Sequence, residues 1–233
     1  MKKEYLHIFF DLDHTLWDFE LNSKTSMHEI YKHFELDVLV TRDFDSFYET
    51  YSQHNKLLWE RFQKGHIRSD ELKWKRMWRT LMDFKKPDEA LAVKMNEKYL
   101  EVLPTQKAVF PNTVEILTHL KEKNYSLHLI TNGFEKVQQR KIENCGIAPF
   151  FTEMITSESS NSMKPEKEIF EAAFKKTGAK AEHSIMIGDN LEADIQGGIN
   201  AGMDTVFVNH IGAEATIDAT YVIHDLIELK NIL

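Results

Sequence analysis

The chain has 233 residues, of which 42% are hydrophobic and 11% aromatic, and a formal net charge of −8. These values suit one or two packed globular domains and exclude a disordered chain. The negative charge argues against a nucleic acid polymer as partner, because such a surface needs clustered lysine and arginine. The single cysteine, Cys145, excludes an internal disulfide, and no apolar stretch approaches the roughly 20 residues of a membrane span. We therefore expect a soluble, cytoplasmic protein that does not bind a membrane.

Residues 8–10 form an apolar run that predicts a buried strand, and two aspartates, Asp11 and Asp13, follow it directly. Open α/β sheets bind their ligands at the carboxyl ends of parallel strands. Two close carboxylates repel each other, so the pair predicts a cation or a shared proton between them.

Residues 18–102 have a helical pattern without a convincing strand. Aromatic side chains recur at i, i+3, i+4 and i+7 from Phe44, and helix starts are predicted at Ser69 and at Pro87-Asp88-Glu89. Periodic aromatics are typical of a bundle core. Within this segment Lys56 and Trp59 are candidate substrate contacts; the alternatives are a solvated surface charge and a core aromatic.

From about residue 105 onward, short apolar runs alternate with helical segments. The predicted strands are residues 127–130, 150–155, 185–187 and 205–208. Pro111 and Pro165 are predicted in first helical turns, and Gly146, Gly178 and Gly202 as left-handed caps. This alternation predicts an α/β fold, a three-layer, Rossmann-like, doubly wound parallel sheet. Residues 1–17 and 103–233 form it, and residues 18–102 are an inserted all-α domain.

Polar residues follow the predicted strands or open the next helix at three further places. They are Thr131-Asn132-Gly133, Lys164-Pro165 and the segment from Gly188-Asp189 to Asp194. Each alone has an ordinary explanation, namely a turn, an exposed lysine or a helix cap. In a parallel sheet, however, all of them converge with Asp11 and Asp13 on one edge.

Together these side chains predict phosphoryl-transfer chemistry. Asp11, Asp13 and Asp189 form an oxygen-rich cluster, and hard oxygen ligands select Mg²⁺. Lys164, Thr131 and Asn132 supply donors for phosphate oxygens. One carboxylate can attack phosphorus to give an aspartyl-phosphate, while the other protonates the leaving oxygen and later deprotonates water.

The four motifs, in this order, resemble those of the haloacid dehalogenase superfamily. They read Asp11-x-Asp13-x-Thr15, Thr131, Lys164 and Gly188-Asp189-x-x-x-x-Asp194. The resemblance covers essentially the whole chain, and the helical insertion looks like the family's mobile C1 cap. It departs at His14, where many members have glycine; we interpret this as a tolerated variation.

The resemblance implies a role for each motif residue. Asp11 is the nucleophile and Asp13 the general acid and base. Asp11, Asp189 and the backbone carbonyl of Asp13 hold Mg²⁺, with Asp194 supporting the metal shell. Thr131, Asn132 and Lys164 bind the phosphoryl group, and Lys164 also pairs with Asp11. Asp13 implies phosphate ester hydrolysis, because dehalogenases of this superfamily lack an aspartate there.

A narrower resemblance concerns Asn55-Lys56-x-Leu58-Trp59 and the segments around the second, third and fourth motifs. These look like the pyrimidine 5′-nucleotidase-like subfamily, so the expected substrate is a small phosphorylated metabolite, a nucleoside monophosphate. The alternatives are a phosphatase for sugar phosphates or phosphoglycolate, a phosphomutase and, from another class, a receiver-type phosphoaspartate signalling module. Receiver modules lack a large helical insertion after the first strand.

Overall fold

The computed structural model of the protein describes residues 4–212, 214 and 216–233. The chain divides into two compact units, one formed by Met1–Phe19 with Lys107–Leu233 and the other by Glu20–Gln106. The boundaries predicted from the sequence lie after residues 17 and 102, whereas the units divide after residues 19 and 106. The unit that contains the first strand is therefore discontinuous in sequence.

The discontinuous unit is built on a parallel sheet of six strands in the order β3-β2-β1-β4-β5-β6. The strands are β1 (His7–Phe10), β2 (Ser126–Thr131), β3 (Glu153–Thr156), β4 (Ser184–Gly188), β5 (Asp204–Val208) and β6 (Tyr221–Ile223). The helices of this unit are α6 (Thr113–Glu122), α7 (Glu135–Asn144), α8 (Ser157–Ser160), α9 (Lys167–Thr177) and α10 (Gly197–Asn200). The predicted α/β fold class is confirmed.

Strand β1 lies at the centre of the sheet, where the strand order changes direction. Phe10 pairs in register with Leu129 of β2 on one side and with Ile187 of β4 on the other. The carboxyl ends of β1, β2 and β4 are therefore neighbours. In a doubly wound sheet this reversal point is where ligands bind.

Two details of the predicted sheet were wrong. The third strand begins at Glu153 and not at Phe150, because Ala148–Phe150 form a 3₁₀ turn around Pro149. A proline in this turn cannot donate to a strand ladder. The short edge strand β6 was missed, since three residues are too few for a periodic signal.

The predicted helix ends were partly right. Gly146, Gly178 and Gly202 have φ values of 81°, 71° and 80°, the left-handed conformation expected after a helix. Pro111 and Pro165, in contrast, each precede the residue that caps the helix and so lie outside the first turn. Pro165 follows a cis peptide bond.

The unit Glu20–Gln106 consists of helices over the residues that the structure describes. They are α1 (Phe19–His33), which starts one residue earlier, α2 (Leu36–Leu39), α3 (Phe44–Gln63), α4 (Ser69–Asp83) and α5 (Glu89–Val102). Both predicted starts are observed, and the Asp88 side chain caps α5 by accepting from the Leu91 N–H. Phe47 and Tyr51 of the aromatic stripe are buried. None of the described helices combines the length and the apolar character needed to cross a bilayer.

Two stacked histidines, His7 and His128, lie on the neighbouring strands β1 and β2. His7 Nδ1 is 3.1 Å from His128 Nε2, and Phe9 packs on the His128 ring at 4.9 Å between centroids. The His128 side chain is buried, and burial, with the nearby His7 and Lys121, lowers its pKa to about 4. The folded chain therefore resists protonation of this imidazole.

The burial of His128 predicts that the folded protein becomes less stable as the pH falls. The pKa of histidine in an unfolded chain is about 6.5. As the pH falls below this value, the unfolded state binds a proton that the folded state does not, so the protein loses stability between pH 6.5 and 4. Between pH 7.5 and pH 5 the free energy of unfolding should fall in both proteins. We expect it to fall less in His128→Phe than in wild type, by about 1–2 kcal/mol. Urea titrations at both pH values measure this, with His119→Gln as the control. Equal pH slopes for wild type and His128→Phe would contradict it.

Candidate active site

A buried lysine and three carboxylates meet at the carboxyl ends of β1 and β4. Lys164 Nζ donates to Asp11 Oδ1 and to Asp194 Oδ1, both at 2.6 Å. One carboxylate oxygen each of Asp11, Asp189 and Asp194 lie within 4.8 Å of one another. Asp11 follows β1, Asp189 follows β4, and Lys164 lies in the loop before α9. The structure thus brings together residues that are up to 183 positions apart in sequence.

The turn after β4 is shaped to bring Asp194 into this cluster. Residues Leu191–Gln196 form a π-helical turn, a feature often found at functional sites, and the Asn190 N–H donates to Asp194 Oδ2 at 3.0 Å. A Cβ at Gly188 would lie 2.2 Å from Asp194 Oδ2, so only glycine leaves room for the carboxylate. Thr15 holds Asp189 by donating to its Oδ1 at 2.8 Å.

The cluster holds more negative charge than its lysine balances. Burial, reinforced by the charges of Asp194 and Asp189 and opposed by Lys164, raises the pKa of Asp11 to about 8. Burial and the Asp194 charge raise the pKa of Asp189 to about 7. Burial lowers the pKa of Lys164, but Asp11 and Asp194 outweigh it and the net shift is upward. A buried site of this kind favours a further cation.

The donor set fits a magnesium ion. All three side chains offer hard carboxylate oxygens, which Mg²⁺ prefers, and the cluster includes no thiolate or imidazole. Asp11 and Asp189 are the better-placed donors, because both oxygens of Asp194 already accept hydrogen bonds from Lys164 and Asn190. The predicted role of the Asp13 carbonyl as a metal ligand stays a prediction.

Thr131 and Asn132, the predicted phosphate donors, lie at the end of β2. The Thr131 hydroxyl accepts from Gln138 Nε2 at 2.7 Å and from the Gly133 N–H at 3.1 Å, so its own proton is free to donate to a ligand. The Asn132 amide instead brackets the Lys164 backbone, donating to its carbonyl at 2.9 Å and accepting from its N–H at 2.7 Å. In the structure, Asn132 therefore positions the lysine loop; its phosphate contact stays a prediction.

Asp13 pairs with a second lysine, Lys141. Lys141 Nζ lies 2.6 Å and 2.8 Å from its two carboxylate oxygens, and Gln138 Nε2 donates to Oδ2 at 3.0 Å. The two aspartates of the first motif thus have separate cationic partners. The residue between Asp13 and Thr15, His14, has a φ of 65°, which explains why glycine suits this position.

Three residues near the site, Gln138, Lys141 and His210, were not predicted from the sequence. Lys141 and Gln138 lie on a helix whose charged pattern resembles an exposed surface. His210, half-buried after β5, contacts the Thr15 carbonyl at 3.2 Å through Nε2 and stacks on Phe110. The one available signal was the three-residue spacing of Gln138 and Lys141, which places both on one helix face.

The predicted substrate contacts lie in the helical unit. Lys56 is exposed and Trp59 is half-buried, and both belong to α3. The Trp59 ring meets that of Phe62 edge to face at 5.7 Å. The roles predicted for Lys56 and Trp59 stay predictions.

This fold and site define a hydrolase with a carboxylate cluster at the reversal point of a parallel sheet. A family model described as haloacid dehalogenase-like hydrolase matches residues 5–202. The chain therefore belongs to the haloacid dehalogenase-like hydrolases, as the motifs indicated, and within them it is a phosphatase that cleaves phosphate monoesters.

Three relatives illustrate the similarity. The pyrimidine 5′-nucleotidase YjjG of Escherichia coli is 33% identical over 97% of this chain and 96% of its own. A glyceraldehyde 3-phosphate phosphatase of Methanothermobacter thermautotrophicus is 41% identical over 53% of this chain and 58% of its own. The crystal structure of the putative HAD-hydrolase YfnB from Bacillus subtilis, bound to magnesium, is 29% identical, covers 99% of both chains and superposes with a TM-score of 0.89.

Proposed function

We propose that the protein is a Mg²⁺-dependent phosphatase that hydrolyses nucleoside 5′-monophosphates through an aspartyl-phosphate on Asp11. The observation that carries the proposal is the buried Lys164 ammonium, which contacts Asp11 and Asp194 at 2.6 Å beside Asp189. This arrangement supports the proposal, because a carboxylate that could act as nucleophile, a fixed cation and further carboxylate oxygens that could hold a metal lie close together. Such sites perform phosphoryl transfer mainly by positioning and charge neutralisation.

In the proposed first half-reaction, an Asp11 carboxylate oxygen attacks phosphorus as the bond to the leaving oxygen breaks. Asp13 gives its proton to that oxygen. Lys164 pairs with Asp11 and with a phosphoryl oxygen, and the Thr131 hydroxyl donates to another. Asp11 and Asp189, with the Asp13 carbonyl and the support of Asp194, would hold Mg²⁺, which when bound supplies positive charge to the transferring group.

In the second half-reaction, Asp13 takes a proton from water as the water oxygen attacks the phosphorus bound to Asp11. The bond between phosphorus and the Asp11 oxygen breaks, and inorganic phosphate leaves. We further propose that the helical unit Glu20–Gln106 is the cap that the family resemblance implies. The similarity to the nucleotidase YjjG over almost the whole chain supports a nucleotide as the substrate.

The direct test is release of inorganic phosphate from a panel of nucleoside monophosphates and sugar phosphates. We expect the highest kcat/KM with a pyrimidine nucleoside 5′-monophosphate, and loss of nearly all activity in EDTA with recovery on addition of Mg²⁺. Product analysis separates hydrolysis from a mutase, which would return an isomeric phosphate. Absence of turnover with every ester in the presence of Mg²⁺ would contradict the proposal.

A sugar phosphate is the second candidate substrate. The similarity to the glyceraldehyde 3-phosphate phosphatase covers 132 residues at 41% identity, a higher identity over a shorter match than that to YjjG. In the same panel, a preference of more than about tenfold for a triose or pentose phosphate over all nucleotides would favour this candidate; by transition-state arithmetic this is about 1.4 kcal/mol.

A further inference from the structure

The carboxylate of Asp13 is held on both oxygens by two side chains of α7. Lys141 Nζ donates to Oδ1 and Oδ2, at 2.6 Å and 2.8 Å, and Gln138 Nε2 adds a bond of 3.0 Å to Oδ2. Two donors on two oxygens fix the orientation of the carboxylate plane as well as its position. Gln138 and Lys141 are three residues apart, so they reach Asp13 from one face of the helix.

Lys141 is placed where a lysine is costly. Its side chain is 3% exposed, against 24% for Asp13, and its ammonium lies 4.4 Å from the centre of the Trp17 ring and 5.6 Å from that of Phe19. Burying an ammonium has a large desolvation cost, which its partners only partly repay. Packing alone does not require a charged side chain at a buried position. The lysine therefore needs a reason other than packing, and its contact with Asp13 supplies one.

The surroundings of Gln138 are adapted to the same contact. Its Nε2 donates to Thr131 Oγ1 at 2.7 Å as well as to Asp13, which ties the end of β2 to the loop after β1. A Cβ on Gly133 would lie 2.4 Å from Gln138 Cδ, so the glycine leaves room for the amide. The amide is fixed by its two bonds and cannot move aside without losing them.

We propose that Lys141, assisted by Gln138, is a positioning residue that holds Asp13 in the orientation needed for proton transfer to the leaving oxygen. The inference rests on the proposed phosphatase mechanism and adds a residue that the four motifs do not include. Lys141 itself touches neither phosphate nor metal in this role. Its loss therefore impairs proton transfer more than it impairs phosphate binding or attack by Asp11.

The experiment compares two esters that differ in their need for an acid. The leaving group of p-nitrophenyl phosphate departs as a stable anion, whereas an alkyl phosphate such as a nucleoside monophosphate leaves a strongly basic oxygen that must be protonated. The ratio kcat/KM reports steps up to release of this group, so hydrolysis of the aspartyl-phosphate does not enter. The alkyl ester is the one that the wild-type protein prefers, whether nucleotide or sugar phosphate.

We expect Lys141→Met to lower kcat/KM for the alkyl ester by at least about tenfold. General acid catalysis typically contributes 10²–10⁴-fold, so this is a part of its full effect. For p-nitrophenyl phosphate the loss in kcat/KM should stay below about threefold, because Asp11, Lys164 and Thr131 are intact. Lys136→Met, an exposed lysine on the same helix, is the matched control and should change neither value. In an Asp13→Asn background, Lys141→Met should add no further selective loss, because both changes remove the same function.

Lys141→Gln serves as the second variant if methionine prevents folding, since a shorter polar group retains a hydrogen bond to Asp13. It should show the same selectivity with a smaller loss. Equal losses for the two esters, or none, would overturn the inference while the phosphatase assignment stands. A wild-type protein that cleaves neither ester would overturn the proposed function, and the inference with it.

Discussion

Replacing Asp11 with asparagine is expected to lower turnover by at least about three orders of magnitude, because an amide cannot attack phosphorus. The substitution keeps the size and shape of the side chain. Lys164 also keeps one carboxylate partner, Asp194, at 2.6 Å. The loss therefore reflects the missing nucleophile more than a displaced lysine.

The stability of this variant gives an independent check. Asp11 is buried beside Asp194 and Asp189, and these surroundings raise its pKa to about 8. A neutral amide relieves this repulsion, so without divalent metal the midpoint of thermal unfolding should equal or exceed that of wild type. Asp218→Asn, at an exposed position in the same unit, is the control for both measurements. Turnover within tenfold of wild type would exclude Asp11 as the nucleophile, because the loss of a covalent nucleophile lowers the rate by far more than this.

Replacing Lys164 with methionine is expected to have the largest effect on stability, about 3–5 kcal/mol in the absence of divalent metal. The ammonium is 2% exposed and contacts two carboxylates, so its removal leaves both of them without their buried counter-charge. Activity should fall together with stability, since the phosphoryl group loses a fixed cation. Urea unfolding monitored by circular dichroism measures the change, with the exposed Lys167→Met as the matched control.

The loss of stability in Lys164→Met should depend on pH in one direction. The folded-state pKa values of Asp11 and Asp189, about 8 and 7, lie above that of an unfolded aspartate, so the folded chain binds protons more readily. Such groups cost stability progressively as pH rises toward the folded-state pKa. Without Lys164 these values rise further, and the deficit should be larger at pH 9 than at pH 6. A deficit that grows on acidification would contradict the assigned charges.

The sheet was predictable because its strands carry local signals. Apolar runs bounded by polar residues marked five of the six strands, and the βαβ alternation made them parallel. The start of β3 was misplaced because Phe150 continues an apolar run, whereas Pro149 imposes a turn that hydrophobicity does not reveal. The edge strand β6 depends on pairing with β5, which a sequence does not display.

The carboxylate cluster was predictable for a related reason. Asp11, Lys164, Asp189 and Asp194 each follow a strand or open a helix, and in a parallel sheet these points meet at one edge. Sequence order was therefore enough to bring together residues from three separate segments. The binding of Asn132 to the Lys164 backbone was not predictable, because it depends on where one loop passes another.

The sequence by itself determined the α/β class and the membership of Asp11, Lys164, Asp189 and Asp194 in one cluster, and its motif resemblance implied the phosphatase chemistry. These follow from residue type and order, since periodicity and strand ends are local properties. Only the tertiary structure decided that Asp13 pairs with Lys141 and Gln138. That pairing depends on which buried ammonium the carboxylate can reach, and a distance of 2.6 Å between residues 128 positions apart is set by packing.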